Sequence, residues 1–414
     1  MQIRFMDKSK ITKSPFNIIV VIAALGYFVD IYDLVLFGVV RTASLESLGL
    51  VGEQLLTVGA SLMNWQMGGM LIGGIIWGVW GDKKGRVSVL FGSILIYSLA
   101  NIANGLVQDI PAYKALRFLA GIGLAGELGA GITLVSETMT KENRGWGTTL
   151  VATFGICGAV AAALVADAFP WRTSYYVGGG LGLMLLLLRI GVYESGMYSK
   201  LQTSTVSRGN FLKLFSNRRS LIKYLSVITI GVPIWYVVGI LVIFSPELGA
   251  AMGMTELPTG GNAILYCYIG LAFGDFGSGL LSQLLKTRNK VVFGFILLTA
   301  LFVGAYFTFA HLSLTMFYIM CFLLGFATGY WAVFVTMASE QFGTNIRATV
   351  TTTAPNFVRG SLIIVVIMFE FGREYLGILQ SAFVVGVFWI LLAFIALAML
   401  PETFGKDLDY LEEH

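Results

Sequence analysis

Two aspartates, Asp30 and Asp33, stand three residues apart within the apolar run Gly26-Tyr-Phe-Val-Asp30-Ile-Tyr32-Asp33-Leu34. On a helix this spacing places both carboxyls on one face. Acids in a lipid-embedded helix are expensive, and their default reading is functional. A poorly hydrated carboxyl beside a like charge is suited to taking up and releasing a proton near neutral pH. Four further charges lie in apolar runs: Arg117, Glu127, Asp275 and Arg359. Counting about 1.5 Å per residue, Asp33 and Arg117 fall at similar depths and are expected to pair. That leaves Asp30 as the better proton carrier. Glu127, further along the helix of Arg117, is either a second protonation site, a gate partner or a hydrogen-bonding strut. Asp275 and Arg359 also fall at similar depths. Either they form a static pair or, as the favoured reading, Arg359 anchors an anionic substrate, since a guanidinium suits carboxylate or phosphate. Asn356 can add hydrogen bonds there. Trp235, Tyr236, Tyr330 and Trp331 are wall residues for a cavity, or ordinary packing and lipid-facing aromatics.

The elements that position these residues are membrane helices. Hydrophobic residues make up 57% of the 414 positions and charged residues 12%, with mean hydropathy +0.81. Soluble domains carry about 25% charged residues. Apolar stretches long enough to span a bilayer recur near 16–40, 56–80, 87–107, 112–135, 146–168, 174–192, 221–244, 261–284, 291–310, 314–338, 349–371 and 377–400. Most of the 27 Lys and Arg fall in the tails and in the connections after even-numbered spans. The positive-inside rule then places both termini in the cytoplasm of a multi-pass protein in the cell inner (plasma) membrane. The formal charge of +4 is topological and implies no nucleic-acid partner. Three isolated cysteines and two histidines form no metal-ligand spacing, so no metal, cofactor or enzymatic activity is expected.

The chain repeats itself weakly. Glu137 and Arg144 follow span 4, Glu340 and Arg347 follow span 10, and the copies are offset by 203 positions. The expected organisation is an N-terminal six-helix bundle (1–194), a basic cytoplasmic linker (195–220) and a C-terminal bundle with a cytoplasmic tail (221–414). In the connection between the bundles, Phe211, Leu214 and Phe215 form one face of a short interfacial helix, or belong to a solvated linker. Two such halves describe a carrier that works by alternating access.

Between spans 2 and 3 the chain reads Gly78-Val-Trp-Gly81-Asp82-Lys83-Lys84-Gly85-Arg86, which resembles the signature loop of the major facilitator superfamily. Arg117-Phe-Leu-Ala-Gly121-Ile-Gly123-Leu-Ala-Gly126-Glu127 resembles the family's fourth-helix motif, and Pro401-Glu402-Thr403-Phe-Gly405-Lys406 the closing motif of its sugar-porter branch. The Asp30/Asp33 spacing resembles the metabolite:proton and phosphate:proton symporters. The resemblance covers essentially the whole chain. It implies an all-α membrane protein with twelve transmembrane helices in two six-helix bundles related by a pseudo-twofold axis. It also implies a gating set of Asp82, Arg86, Glu137, Arg144, Glu340 and Arg347, to which Asp275 is added. Two departures stand out. The second signature loop has Gln283 where the Asp belongs, so a latch there should be weaker or absent. Span 5 lacks the Gly-Pro motif of drug antiporters.

The leading expectation is a monomeric, proton-coupled symporter of a small organic anion, mono- or dicarboxylate, with protons and the lipid bilayer as its other partners. Phosphate, sugar or zwitterion symport is the alternative, or a facilitator or exporter without proton coupling. A non-transporting receptor ranks last.

Overall fold

The computed structural model describes residues 18–51, 53–140, 143–189, 211, 213–407 and 409. The expected linker falls largely outside them, as do residues 190–194, where the first bundle was expected to end. Within the described residues the chain is helical: α1 (Ile18–Ser47), α2 (Glu53–Lys84), α3 (Arg86–Asn104), α4 (Ile110–Leu124), α5 (Glu127–Thr138), α6 (Arg144–Ala168), α7 (Trp171–Leu188), α8 (Lys213–Ser216), α9 (Arg218–Tyr236), α10 (Ser245–Ala251), α11 (Gly260–Leu284), α12 (Asn289–Phe309), α13 (Leu314–Thr328), α14 (Trp331–Gln341), α15 (Arg347–Gly360), α16 (Leu362–Leu376) and α17 (Ile378–Ala398). Ten of the helical stretches are long and apolar enough to cross a membrane; α2 and α7 complete the twelve.

Four expected spans are interrupted. Span 4 divides into α4 and α5 at Ala125–Gly126, span 10 into α13 and α14 at Gly329–Tyr330, and span 11 into α15 and α16 at Ser361. Span 7 passes from α9 into a π-helical segment, Val237–Val242, just beyond Pro233. The breaks at Gly126 and Gly329 lie 203 positions apart, the offset of the Glu/Arg turns. Each half thus repeats its discontinuity as well as its helices. Irregular backbone at membrane depth is tolerated where protein buries it, and both breaks are buried.

Where the halves meet, α2 packs on α15 and α6 on α11. Hydroxyls line this seam. The Thr133 and Thr351 side chains hydrogen-bond at 2.5 Å, and those of Thr148 and Thr336 at 2.8 Å. Inside the first half, α1 and α6 approach so closely at Gly158 that an added Cβ would overlap the Phe28 carbonyl. Small residues permit such backbone proximity between membrane helices. Gly158→Leu is therefore expected to lower the melting temperature of the purified protein by at least 5 °C. An unchanged melt would show that α1 and α6 separate at little cost.

The expected signature loop is nearly all helix. Asp82 lies in the last turn of α2, Arg86 opens α3, and Gly85 alone joins them with φ of 99°. That backbone angle strains any residue with a Cβ. At the other expected interfacial segment, Leu214 is buried and Phe215 exposed on the one-turn α8, and the Phe211 ring lies against Phe215, Tyr224 and Phe357.

Candidate functional site

Asp30 of α1 and Arg359 of α15 face each other across the halves, Oδ2 to Nη2 at 3.7 Å, both fully buried. The separation is that of an ion pair rather than a hydrogen bond. No donor among the described residues hydrogen-bonds either Asp30 oxygen, and Arg359 Nε and Nη2 have no acceptor. The guanidinium also lies 5.5 Å from the Trp331 ring centroid. A pair held this loosely keeps donors and acceptors available to a third partner.

This arrangement removes one alternative and corrects one expectation. Asp275 does not pair with Arg359; its Oδ1 accepts the Ala332 N–H at 2.7 Å and so caps α14 at the Gly329 break. A carboxylate at a helix N-terminus is well placed electrostatically. Nor does Asp33 form an ion pair with Arg117, which instead donates to Gln66 Oε1 and stacks over Phe37 with Cζ 4.9 Å from the ring centroid. Asp33 packs against Gly178 of α7, where any side chain would overlap its Oδ1.

Glu127 opens α5 and forms a buried, two-pronged ion pair with Arg189, at the end of α7. The pair packs against Gly26, one turn from Asp30 on α1. In the sequence Arg189 is one more basic residue at the end of an even-numbered span, and nothing in its immediate neighbours marks it as buried. Asn356 donates to the Ala125 and Thr352 carbonyls at 2.8 and 2.7 Å. It thereby ties α15 to the α4–α5 break, while its Oδ1 has no hydrogen-bond partner.

The cavity walls are also revised. Tyr236 and Tyr330 are fully buried, and their hydroxyls donate to the Ala382 and Ile230 carbonyls. They brace helices. Trp235, Trp331 and Tyr268 do line a small cavity with Tyr27, Ile31 and Arg359. Through Trp235, Val238 and Tyr268 this space adjoins a second narrow one reaching Phe37, Met63 and Gln66. The second adjoins a vestibule of about 640 Å³ that Arg41, Asp167, Trp171 and Asn262 help to line. The three spaces thus succeed one another from Arg359 toward the end of the bundle where α1 and α6 finish.

The opposite end is closed by charge. Asp82 accepts the Ala348 and Thr349 N–H groups at 3.1 and 2.8 Å, capping α15 across the seam, and also the Thr349 hydroxyl at 2.6 Å. Glu137 Oε1 bridges Arg86 at 2.9 Å and Arg347 at 3.3 Å. The side chain of Arg144 lies outside the described ones. In the second half Glu340 pairs with Arg288 at 3.2 Å and accepts the Thr403 hydroxyl at 2.7 Å. One ion pair of the second half thus stands beside the eroded loop, with both partners in that half. Burial alone would raise the Glu402 carboxyl, but hydrogen bonds from the Thr287 hydroxyl and the Arg288, Phe404 and Asn289 N–H groups hold it below the ordinary value.

The chain is 30% identical over 205 residues to a Haemophilus influenzae protein whose name assigns it only to metabolite transport, a match spanning about half (49%) of each chain. It is 28% identical over 423 residues to the cis,cis-muconate transport protein of Acinetobacter baylyi, covering 98% of both. Among solved structures, that of a proton:xylose symporter superposes with a TM-score of 0.76 at 16% identity, over 94% of this chain and 97% of that one. The family model described as Major Facilitator Superfamily matches residues 23–366. With that span matched and twelve helices in the matching fold, the chain belongs to the Major Facilitator Superfamily and is a membrane transporter.

Proposed function

We propose that the protein carries a small organic acid anion together with a proton by alternating access. The observation that supports this reading best is the loose, buried Asp30–Arg359 pair at the blind end of a cavity path. Asp30 and an incoming carboxylate compete for one guanidinium. Protonating Asp30 removes the competitor, so anion and proton favour each other's binding, a reciprocal coupling. The substrate carboxylate takes the Arg359 fork, and Trp235, Trp331 and Tyr268 pack its carbon frame. The muconate relative, whose named cargo is a dicarboxylate, supports an acid substrate. With both termini cytoplasmic, the vestibule opens outward and the Asp82/Glu137 end seals the cytoplasmic side.

In proteoliposomes, wild type should accumulate an organic acid when an inward pH gradient is imposed. Asp30→Asn should lose that accumulation while retaining exchange of labelled for unlabelled acid, because Arg359 stays charged without its competitor. Full gradient-driven accumulation by Asp30→Asn would exclude Asp30 as the coupling acid. Gradient-independent uptake by wild type would favour a facilitator.

A further inference from the structure

A cavity of about 1050 Å³ lies away from the substrate path, between the start of α9 and the chain beyond α17. Arg218, Arg219 and Lys223 reach it from the first turns of α9, and Lys406 from the segment after α17. No acidic residue lines it among those described. Lys223 is fixed in place by donating to the Gln341 carbonyl at 2.9 Å and stacking 4.5 Å over Phe342. Arg218 and Arg219 are exposed. Four cationic side chains from two separate segments therefore line one space, with the exposed Arg218 and Arg219 guanidinium groups at its mouth open to an anionic occupant.

The rim identifies that occupant. Met399, which lines the cavity together with Ile222, is 53% exposed. A basic cavity with an exposed apolar side chain in its lining, beside the ends of two membrane helices, suits a headgroup whose acyl chains lie along those helices. Basic pockets between membrane helices recruit anionic headgroups, and a guanidinium matches phosphate oxygens with two parallel donors. Free phosphate offers the same oxygens but nothing to cover the apolar rim.

We infer that this cavity binds the headgroup phosphate of an anionic phospholipid, with its acyl chains lying along α9 and α17. Arg218, Arg219 and Lys406 contact the phosphate, and Lys223 sets the cavity floor. This inference rests on the membrane-spanning fold and not on proton coupling.

The test is native mass spectrometry of the full chain in detergent, titrated with phosphatidylglycerol, phosphatidylcholine or inorganic phosphate. Wild type should retain phosphatidylglycerol in preference to phosphatidylcholine. The triple variant Arg218→Gln/Arg219→Gln/Lys406→Gln should weaken that retention at least tenfold, with an unchanged lipid-free melting temperature. The control Lys83→Gln/Lys84→Gln removes two exposed charges elsewhere on the same end and should leave it intact. Equal retention by the triple variant, or an equal loss in the control, overturns the site. Complete displacement of the lipid by millimolar inorganic phosphate overturns the lipid as its ligand.

Discussion

Arg359→Ala is expected to abolish uptake of the acid substrate, lowering kcat/KM by at least a hundredfold. Arg359 is the cation on the small inner cavity and carries two unpartnered nitrogens beside it. Truncating one partner of a buried charge pair costs about 3–5 kcal/mol, and each 1.4 kcal/mol is about tenfold in affinity. The same substitution strands Asp30 in a buried site, so part of the loss could reflect instability. The double variant Arg359→Ala/Asp30→Asn separates the two effects. Removing both charges should restore the melting temperature toward wild type without restoring uptake. Arg359→Lys keeps the charge but loses the planar fork and its stacking on Trp331. It should therefore weaken apparent affinity roughly tenfold and leave the protein folded. If Arg359→Ala keeps uptake within threefold of wild type, the carboxylate binds elsewhere.

The sequence revealed the charges but not their partners. Depth along a helix can be counted from residue numbers, which suggested pairing Asp33 with Arg117 and left Asp275 as an alternative partner of Arg359. Depth says nothing of azimuth or of which helices adjoin. The true partner of Arg359 lies on α1, more than three hundred positions away in the chain. Asp275 was unreadable for a related reason: its partner is a backbone N–H exposed by a helix break, and that break carries no charge or proline to announce it. Aromatic type was equally silent on direction, so Tyr236 and Tyr330 looked like cavity walls until their hydroxyls were traced to backbone carbonyls. The repeat was legible because it is written in spacing, and the same 203-residue offset extends to the paired breaks. At the eroded loop, Gln283 Nε2 has no hydrogen-bond partner among the described residues, while Arg288 and Glu340 form an ion pair within the second half that the loop's own residues did not announce.

Glu137→Gln is expected to open the sealed end. Among the described side chains four buried charges meet there: Asp82 and Glu137 against Arg86 and Arg347. Glu137 touches one arginine from each half, so the closed arrangement depends on its charge, whereas separating the halves would hydrate all four groups. With glutamine at 137 the closed arrangement loses the one carboxylate seen to bridge Arg86 and Arg347, a loss the open state does not feel. A penalty of about 3 kcal/mol, at the low end for a broken buried pair, corresponds to a shift of about a hundredfold in the balance between closed and open states. A reporter cysteine at Ser339, buried beside Arg347, reads this directly once Cys157, Cys267 and Cys321 are replaced by serine. Its labelling by a membrane-impermeant thiol reagent should accelerate at least tenfold in the Glu137→Gln background. Glu46→Gln, an exposed acid near the far end of α1, should leave the rate unchanged. Gradient-driven uptake should fall in parallel, since a carrier that cannot hold this end shut presents the vestibule at its other end for less of each cycle. Unchanged labelling with unchanged uptake would mean that the hydroxyl seam and the Asp82 cap of α15 hold the end shut without Glu137.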